Sequence, residues 1–367
     1  MKNTCLVLGA GFSKAVANLP ITKEMINAFK GEIEKQRLLN NKNREIWGKR
    51  LLNFINKLEN EFLKTPYANA EEGGTILESN YSENFEGLCS FIDLNLAFEV
   101  QARCENKGVK AGLSGKPLFV NCTSAELKQI RGDLGEYLFL TLINNKSNEE
   151  ILNRIHNVFL NNCSSIITFN YDLILEKFLF KKNYWLPKDG YGYTPRDFPE
   201  LNPNYINQFS RIKIFKMHGS LNWVPSSIYD SKFQFKWYDD DNIYFFPGYL
   251  KKEEKRDFIY QGGHPSKGWI LPSWIKQFTF NEIIQVWHQA FKALNKADEI
   301  IFIGYSLPPA DAAVYSLFSS IDWDNKIIKL IDPNAEQLKS NYSFVLRKND
   351  IKIIPKSLED YLSSESN

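Results

Sequence analysis

The chain has 367 residues, enough for roughly two domains of about 150 residues each or for one domain with a large insertion. Its 45 lysines and arginines against 43 aspartates and glutamates give a net charge of +2, which excludes binding of nucleic acid mainly through bulk charge. A local basic patch is not excluded. An aromatic share of 14% predicts a large, well-filled core rather than a disordered chain.

The cysteine pattern argues against a disulfide framework and against a structural zinc site built on paired thiolates. There are five cysteines at long spacings, with no C-x-x-C pair: Cys5, Cys89, Cys104, Cys122 and Cys163. We expect buried free thiols in a reducing cytosol.

No apolar run reaches the ~18 residues of a membrane-spanning helix. Gly9 and Gly11 interrupt the apolar N-terminal segment, so a signal peptide is not favoured and we expect a cytoplasmic protein.

The first predicted element is a strand. Residues 3–8 form a short apolar run that ends at glycine, which is typical of a buried strand in a parallel sheet. A helical pattern then begins near Thr22, and helical spacing dominates residues 24–160. Within that region Ser147-Asn148-Glu149-Glu150 is interpreted as a capping box that opens a helix.

Strand and helix patterns alternate in the rest of the chain. Apolar strand patterns occur at 164–169, 211–217, 299–303, 326–331 and 351–354. Residues 225–270 are interpreted as irregular. Alternation at both ends of the chain predicts an α/β fold, a Rossmann-like doubly wound parallel sheet with a large, mainly helical insertion. The predicted domains are a Rossmann-like domain formed by 1–30 and 161–367, and a helical insertion domain formed by 31–160.

Four predicted strands end in polar or glycine-containing turns. These turns are Gly9–Ser13, Asn170–Asp172, His218–Ser220 and Gly304–Leu307. Because the carboxyl ends of parallel strands line one crevice, we expect the four turns to form one ligand site.

The first turn reads Gly9-Ala10-Gly11-Phe12-Ser13. Glycines let the backbone approach a pyrophosphate, and a following helix offers N–H groups to an anion. Lys14 replaces the third glycine of the dinucleotide fingerprint, so a tight strand–helix turn explains the motif equally well.

The other turns carry single polar candidates, each with a structural alternative. Asn170 and Asp172 could bind ribose hydroxyls or a carboxamide, or form an Asx turn that caps the next helix. His218 could act as a general base, although a lone histidine is more often structural. Asp332 could accept from ribose hydroxyls or initiate a turn before Pro333. His264 and His288 lack the spacing of metal ligands.

In this order, the motifs resemble the sirtuin-like NAD-binding family, and most closely its bacterial branch found in phage-defence systems. The motifs are Gly9-Ala10-Gly11-Phe12-Ser13, Thr168-Phe169-Asn170-Tyr171-Asp172, His218-Gly219-Ser220 and Gly304-Tyr305-Ser306-Leu307. Asn84-Phe85-Glu86 and Ile270-Leu271-Pro272-Ser273 also look like that branch. The resemblance implies that NAD is the substrate and that the domain formed by 1–30 and 161–367 binds it.

The resemblance also implies a role for each matched residue. The NAD phosphates and nearby ribose would be held by the first turn, at Gly9, Ala10, Gly11, Phe12 and Ser13. The adenosine side would be bound by Gly304 and Ser306, with a looser ribose contact at Asp332. Catalysis would depend on Asn170 and Asp172 at the nicotinamide ribose and on His218 at the ribose or water.

Two departures from deacylating sirtuins bear on the activity. Paired zinc cysteines do not occur, and the Ser-Gly-Ile-Pro-Asp-Phe-Arg run is replaced by Lys14-Ala15-Val16-Ala17-Asn18-Leu19-Pro20. We therefore expect no zinc, and an NAD hydrolase that releases nicotinamide and ADP-ribose. A protein deacylase and a non-catalytic module that binds NAD or ADP-ribose are the alternatives.

The resemblance implies a biological setting as well. The chain would be an effector of bacterial anti-phage defence that depletes NAD. A homo-oligomer is expected, together with a separately encoded partner, a DNA-translocating ATPase of the HerA type. We expect no membrane association and no strong direct binding of nucleic acid.

Overall fold

A computed structural model describes residues 2–62, 85–105, 124–143, 146–192, 208–225, 233–239, 242–246, 270–271, 273, 281–308 and 311–365. The strands are β1 (Thr4–Leu8), β2 (Cys163–Thr168), β3 (Lys213–Lys216), β4 (Trp223–Pro225), β5 (Phe233–Asp239), β6 (Asn242–Phe246), β7 (Glu299–Ile303), β8 (Ile327–Ile331) and β9 (Lys352–Ile354). The helices are α1 (Ala10–Ala17), α2 (Met25–Leu38), α3 (Lys42–Phe62), α4 (Phe85–Glu105), α5 (Ser124–Ile143), α6 (Glu149–Ile155), α7 (Ile174–Lys181), α8 (Asn281–Lys296), α9 (Ala312–Ser319), α10 (Ala335–Leu346) and α11 (Leu358–Glu365).

Six parallel strands form the main sheet, in the order β3-β2-β1-β7-β8-β9. Every residue of β1 is buried, because this central strand is covered on both faces. Leu8 pairs in register with Thr168 of β2 and with Ile303 of β7, so these three strands end at the same level. Helices flank the sheet, and the prediction of a doubly wound parallel sheet with extensive helical structure between β1 and β2 is confirmed.

The first helix differs from the prediction. We expected a helix to begin near Thr22, but α1 starts at Ala10, directly after the glycine that ends β1. Thr22 instead opens a 3₁₀ turn, Thr22–Glu24, that leads into α2. The first helix has only eight residues and buries little more than Phe12 and Val16, which is too few apolar positions to produce a clear period.

A small antiparallel sheet corrects a second prediction. We interpreted residues 225–270 as irregular, yet β5 and β6 lie within that range and pair with each other, and β4 pairs with β5. The alternation Phe233, Phe235 and Trp237 is the local signal of a strand with one apolar face.

The helices between β1 and β2 pack mainly on one another. Phe29 of α2 meets Phe85 of α4 edge to face at 5.6 Å. Arg50 of α3 forms a two-pronged ion pair with Asp133 of α5, at 2.6 and 2.7 Å. The predicted domain boundary near residue 30 falls inside α2, and α6 contacts α11 of the C-terminal half. The division into 1–30 with 161–367, and 31–160, stays a prediction.

The N-terminus of α6 provides a test of local energetics. Asn148, rather than Ser147, is the capping residue, and its Oδ1 accepts from the backbone N–H groups of Glu150 (3.0 Å) and Ile151 (3.3 Å). We expect Asn148→Ala to lower the free energy of unfolding by about 1 kcal/mol, because it leaves these helix donors without their acceptor. Ser147→Ala is the matched control, with little expected change. Urea denaturation followed by circular dichroism measures both, and equal losses would contradict the assignment.

Three cysteines have described side chains. Cys5, Cys89 and Cys163 have buried side chains, and burial raises the pKa of the Cys5 thiol to about 12. Cys104 and Cys122 lie outside the residues whose side chains are described.

Within the described ranges, no helix combines the length and apolarity needed to cross a membrane. The described residues also contain no group of three or more His, Cys, Asp or Glu side chains that could bind a metal ion.

Candidate functional site

A cavity of about 510 Å³ opens at the carboxyl edge of the main sheet. It lies where the strand order reverses between β1 and β7, the position at which open parallel sheets bind ligands. The sequence-predicted site residues in its wall are Ala10, Gly11, Ser13, Asn170, Asp172, His218, Gly304, Ser306 and Asp332. Two predicted residues, Gly9 and Phe12, are not part of this wall.

The glycines of the first turn serve close packing. Gly9 N–H donates to the carbonyl of Ile303 (3.1 Å), and Gly11 N–H donates to that of Gly304 (3.0 Å). A Cβ on Gly9 would lie only 2.4 Å from the Gly304 carbonyl oxygen. Gly304 itself has φ +58°, in the left-handed region that favours glycine. The turns after β1 and β7 therefore touch, and the Gly11 N–H is already used between them.

Phe12 belongs to the core rather than to the cavity. Its side chain is 1% exposed and packs with the other apolar residues of the main cluster. We do not retain it as a ligand contact.

Asn170 is fixed by two hydrogen bonds that it donates. Its Nδ2 donates to the carbonyl of Gly9 and to Oγ of Ser13, both at 2.8 Å. Ser13 Oγ in turn donates to Asp172 Oδ2 at 2.6 Å. Because both amide hydrogens are engaged, Asn170 offers a ligand only its Oδ1, as an acceptor.

Asp172 is buried and contributes mainly to this arrangement. Its Oδ1 accepts from the N–H of Ile174 (3.1 Å), at the start of α7. This is the Asx-type cap that was the alternative interpretation of the motif. The carboxylate thus joins Ser13 to the N-terminus of α7 and orients the whole group.

His218 lies beside an acidic residue that sequence reasoning missed. Its Nε2 is 3.4 Å from Oδ1 of Asp311, and the two side chains are 4% and 5% exposed. Tyr305 donates from its hydroxyl to the other carboxylate oxygen at 2.8 Å. Burial and the charge of Asp311 raise the pKa of Tyr305 well above its usual range, so this phenol stays a donor. Phe169 stacks on the Tyr305 ring at 4.2 Å and lies 5.3 Å from the imidazole.

Asp332 directly follows β8 and lies in the cavity wall. Its Oδ1 accepts from the N–H of Asn334 at 2.8 Å, which is the turn geometry considered as its alternative role. Burial raises the pKa of this carboxyl. Ser306 lies nearby and is exposed. Both remain open to a ligand from the cavity.

The helices between β1 and β2 close the cavity on its other side. Phe85 and Glu86 from the start of α4 line it, together with Leu138 and Leu142 from α5. Glu86 belongs to a motif noted in the sequence, Asn84-Phe85-Glu86, to which no role was assigned. Asn84, His264 and Pro272 lie outside the described residues.

The segment between α1 and α2 also borders the cavity. Residues 19–23 line it, and Glu24 holds this segment in place. The Glu24 carboxylate accepts from the N–H of Ile21 (3.2 Å) and pairs with Lys14 (2.9 Å), which lowers its pKa.

Comparison with known proteins places the chain in a family. A sequence comparison with curated proteins finds no match. The chain is similar to solved structures of Sir2 homologues in complex with ADP-ribose (14% identity, 99% of this chain, 90% of that chain, TM-scores 0.39 and 0.38). It is also similar to one in complex with 2′-O-acetyl ADP-ribose (14% identity, the same coverage, TM-score 0.40). The family model described as SIR2-like domain matches residues 164–361. Since this match covers more than half of the chain, the protein belongs to the SIR2-like domain family.

Proposed function

We propose that this protein hydrolyses NAD at the bond between nicotinamide and ribose. The observation that carries the proposal is the convergence of two polar groups on one cavity: the Ser13–Asn170–Asp172 network and the His218–Asp311 pair. The proposal also draws on the resemblance to sirtuin-like NAD-binding proteins and on membership of the SIR2-like family.

The reaction needs little covalent participation by the protein. The ribose–nitrogen bond breaks through an oxocarbenium-like state, and nicotinamide leaves as a neutral molecule. A water oxygen bonds to the same ribose carbon, and its proton is taken up by a base. The products are nicotinamide and ADP-ribose. The protein must hold the substrate, place one water and stabilise positive charge.

Asn170 is suited to position the nicotinamide ribose or the attacking water. Its Oδ1 accepts from a hydroxyl or a water, while its amide group is held by Gly9 and Ser13. This acceptor is therefore preorganised and needs no rearrangement during the reaction. Asp172 acts through Ser13 and is a positioning residue in this scheme.

His218 is the proposed base. The carboxylate of Asp311 stabilises positive charge on the ring as the imidazole takes the water proton. The rings of Phe169 and Tyr305 line the cavity beside the imidazole and supply apolar surface there.

The cavity suits a ligand with one apolar and several polar parts. Its volume of about 510 Å³ lies within the range of small-molecule and cofactor sites. Leu138 and Leu142 supply apolar surface, and the carboxyl ends of the strands supply the polar groups. Asp332 and Ser306 remain the proposed contacts for the adenosine side, with Ala10 and Ser13 nearer the phosphates.

Replacing Asn170 tests the proposal directly. We expect the purified chain to convert NAD to nicotinamide and ADP-ribose, measured by chromatography. Asn170→Ala should lower kcat by about 100-fold, because the preorganised acceptor is lost. Asn153→Ala, at an exposed position of α6, is the matched control and should keep wild-type kcat.

Three outcomes would count against this assignment. Full activity of Asn170→Ala would remove the residue from the site. Binding of NAD without turnover, with the partner ATPase present as well, would favour the non-catalytic module. Transfer of an acyl group from a peptide would favour the deacylase. The roles in anti-phage defence, in homo-oligomers and beside a HerA-type ATPase stay predictions from the resemblance.

A further inference from the structure

A buried ion pair lies behind the cavity wall that carries Asn170 and Asp172. Lys216 Nζ is 3.1 Å from Glu176 Oε1, and the side chains are 2% and 1% exposed. The same ammonium group donates a hydrogen bond to the main-chain carbonyl of Asp172. The pair therefore joins three elements: the end of β3, the turn after β2, and α7.

Stability alone does not explain a charged pair in this place. Removing two charges from water is costly, and apolar residues of similar volume are often as stable or more stable. The surroundings could accept such residues, since Trp185, Tyr191 and Trp223 are fully buried nearby in the same core. Burial already raises the pKa of Glu176, whose Oε1 also accepts from the Tyr191 hydroxyl at 3.2 Å.

The ammonium group does what an apolar side chain cannot. It holds the Asp172 carbonyl from the last residue of β3, two positions before His218. Backbone hydrogen bonds lie on either side of this contact. Met217 N–H donates to the Thr168 carbonyl (2.9 Å), and Leu221 N–H donates to the Tyr171 carbonyl (3.0 Å). Lys216 thereby connects the two polar groups of the site through their backbones.

We propose that the Lys216–Glu176 pair is a positioning device that sets the spacing between the Asn170–Asp172 turn and His218. The pair lies outside the cavity wall and does not touch the substrate. The expected effect of the pair on kcat rests on the proposed function. Its effect on the position of the Asn170–Asp172 turn does not. A small displacement of either group lowers the rate of the chemical step more than it weakens binding, because the β7 and β8 side of the cavity is unchanged.

The experiment replaces the pair by apolar residues in the full chain, as Lys216→Met with Glu176→Leu. The matched control is Lys329→Met with Glu299→Leu, an ion pair at 2.9 Å that links β8 to the first residue of β7, at the other end of that strand from Gly304. Two quantities are measured: kcat and KM for NAD, and hydrogen–deuterium exchange of peptides across the sheet.

We expect kcat to fall at least about tenfold while KM changes less than about threefold. Exchange should become at least about tenfold faster in residues 168–176, with β1 and β7 unchanged. The control should keep the wild-type kcat and the wild-type exchange of 168–176. If the pair were only structural, hydrogen–deuterium exchange would become faster throughout the main sheet, and kcat per folded molecule would stay unchanged.

The outcomes separate this inference from the proposed function. Wild-type exchange of 168–176 in the folded double variant overturns the inference, as does faster exchange with unchanged kcat. If the wild-type chain itself releases no nicotinamide, the proposed function fails, and the exchange data alone decide whether the pair positions the turn. If the double variant does not fold, the same measurements on Glu176→Gln, which keeps the side-chain size, decide the question.

Discussion

Replacing His218 with alanine is expected to lower kcat for NAD hydrolysis by at least about 100-fold, the usual effect of losing a general base. The side chain lies in the cavity wall, and the carboxylate of Asp311 is poised to stabilise its protonated form. His288→Ala is the matched control, because this histidine is exposed on α8, and it should keep wild-type activity. Nicotinamide release measured by chromatography gives kcat for both variants.

Asp311→Asn extends the same test to the missed partner. The amide keeps the size of the side chain and still accepts from the Tyr305 hydroxyl, but it carries no charge. We expect kcat to fall by about tenfold, less than for His218→Ala, because the imidazole remains in place. Calorimetric binding of ADP-ribose shows whether the site is intact in each variant. Wild-type kcat for His218→Ala would exclude the histidine as the base, and for Asp311→Asn it would remove the carboxylate from the mechanism.

Gly9→Ala is expected to destabilise the protein by about 1–3 kcal/mol, through overpacking. The new Cβ would lie 2.4 Å from the Gly304 carbonyl oxygen and 2.5 Å from Tyr305 Cα. Both obstacles are backbone atoms, held by the hydrogen bonds between the turns after β1 and β7, so they cannot move aside at low cost.

Gly31→Ala is the control for this prediction. A Cβ at Gly31, on the exposed side of α2, meets nothing within 4 Å, so the change should stabilise the helix by about 0.5–1 kcal/mol. Thermal and urea unfolding compare the two variants. If Gly9→Ala were as stable as the wild type but bound ADP-ribose poorly, the glycine would serve the phosphates and not the contact between the turns.

Several features of the site are predictable from sequence because they are local. Asn170, His218 and Gly304 follow apolar runs that become parallel strands, and the end of each strand sets the edge at which they lie. Asp311 gave a weaker signal. It lies eight residues after the end of β7 and just before α9, where an acidic residue is also a common start to a helix.

Local patterns were least informative where packing between distant segments decides the structure. Asp311 and His218 are 93 positions apart, and their contact arises because β3 and β7 end at the same edge of one sheet. Lys216 gave no sequence signal, since a lysine at the end of a strand is usually exposed. Its burial is compatible with its charge because Glu176 of α7 is placed opposite it and forms the ion pair.

By itself, the sequence determined the class of fold and the positions of the polar turns, because buried parallel strands need continuous apolar runs and turns need glycine or short polar residues. Only the tertiary structure decided what those turn residues do. It used Gly9 and Gly304 for contact between two backbones, and it placed Phe12 in the core. These roles depend on distances between segments far apart in the chain, which local periodicity does not encode.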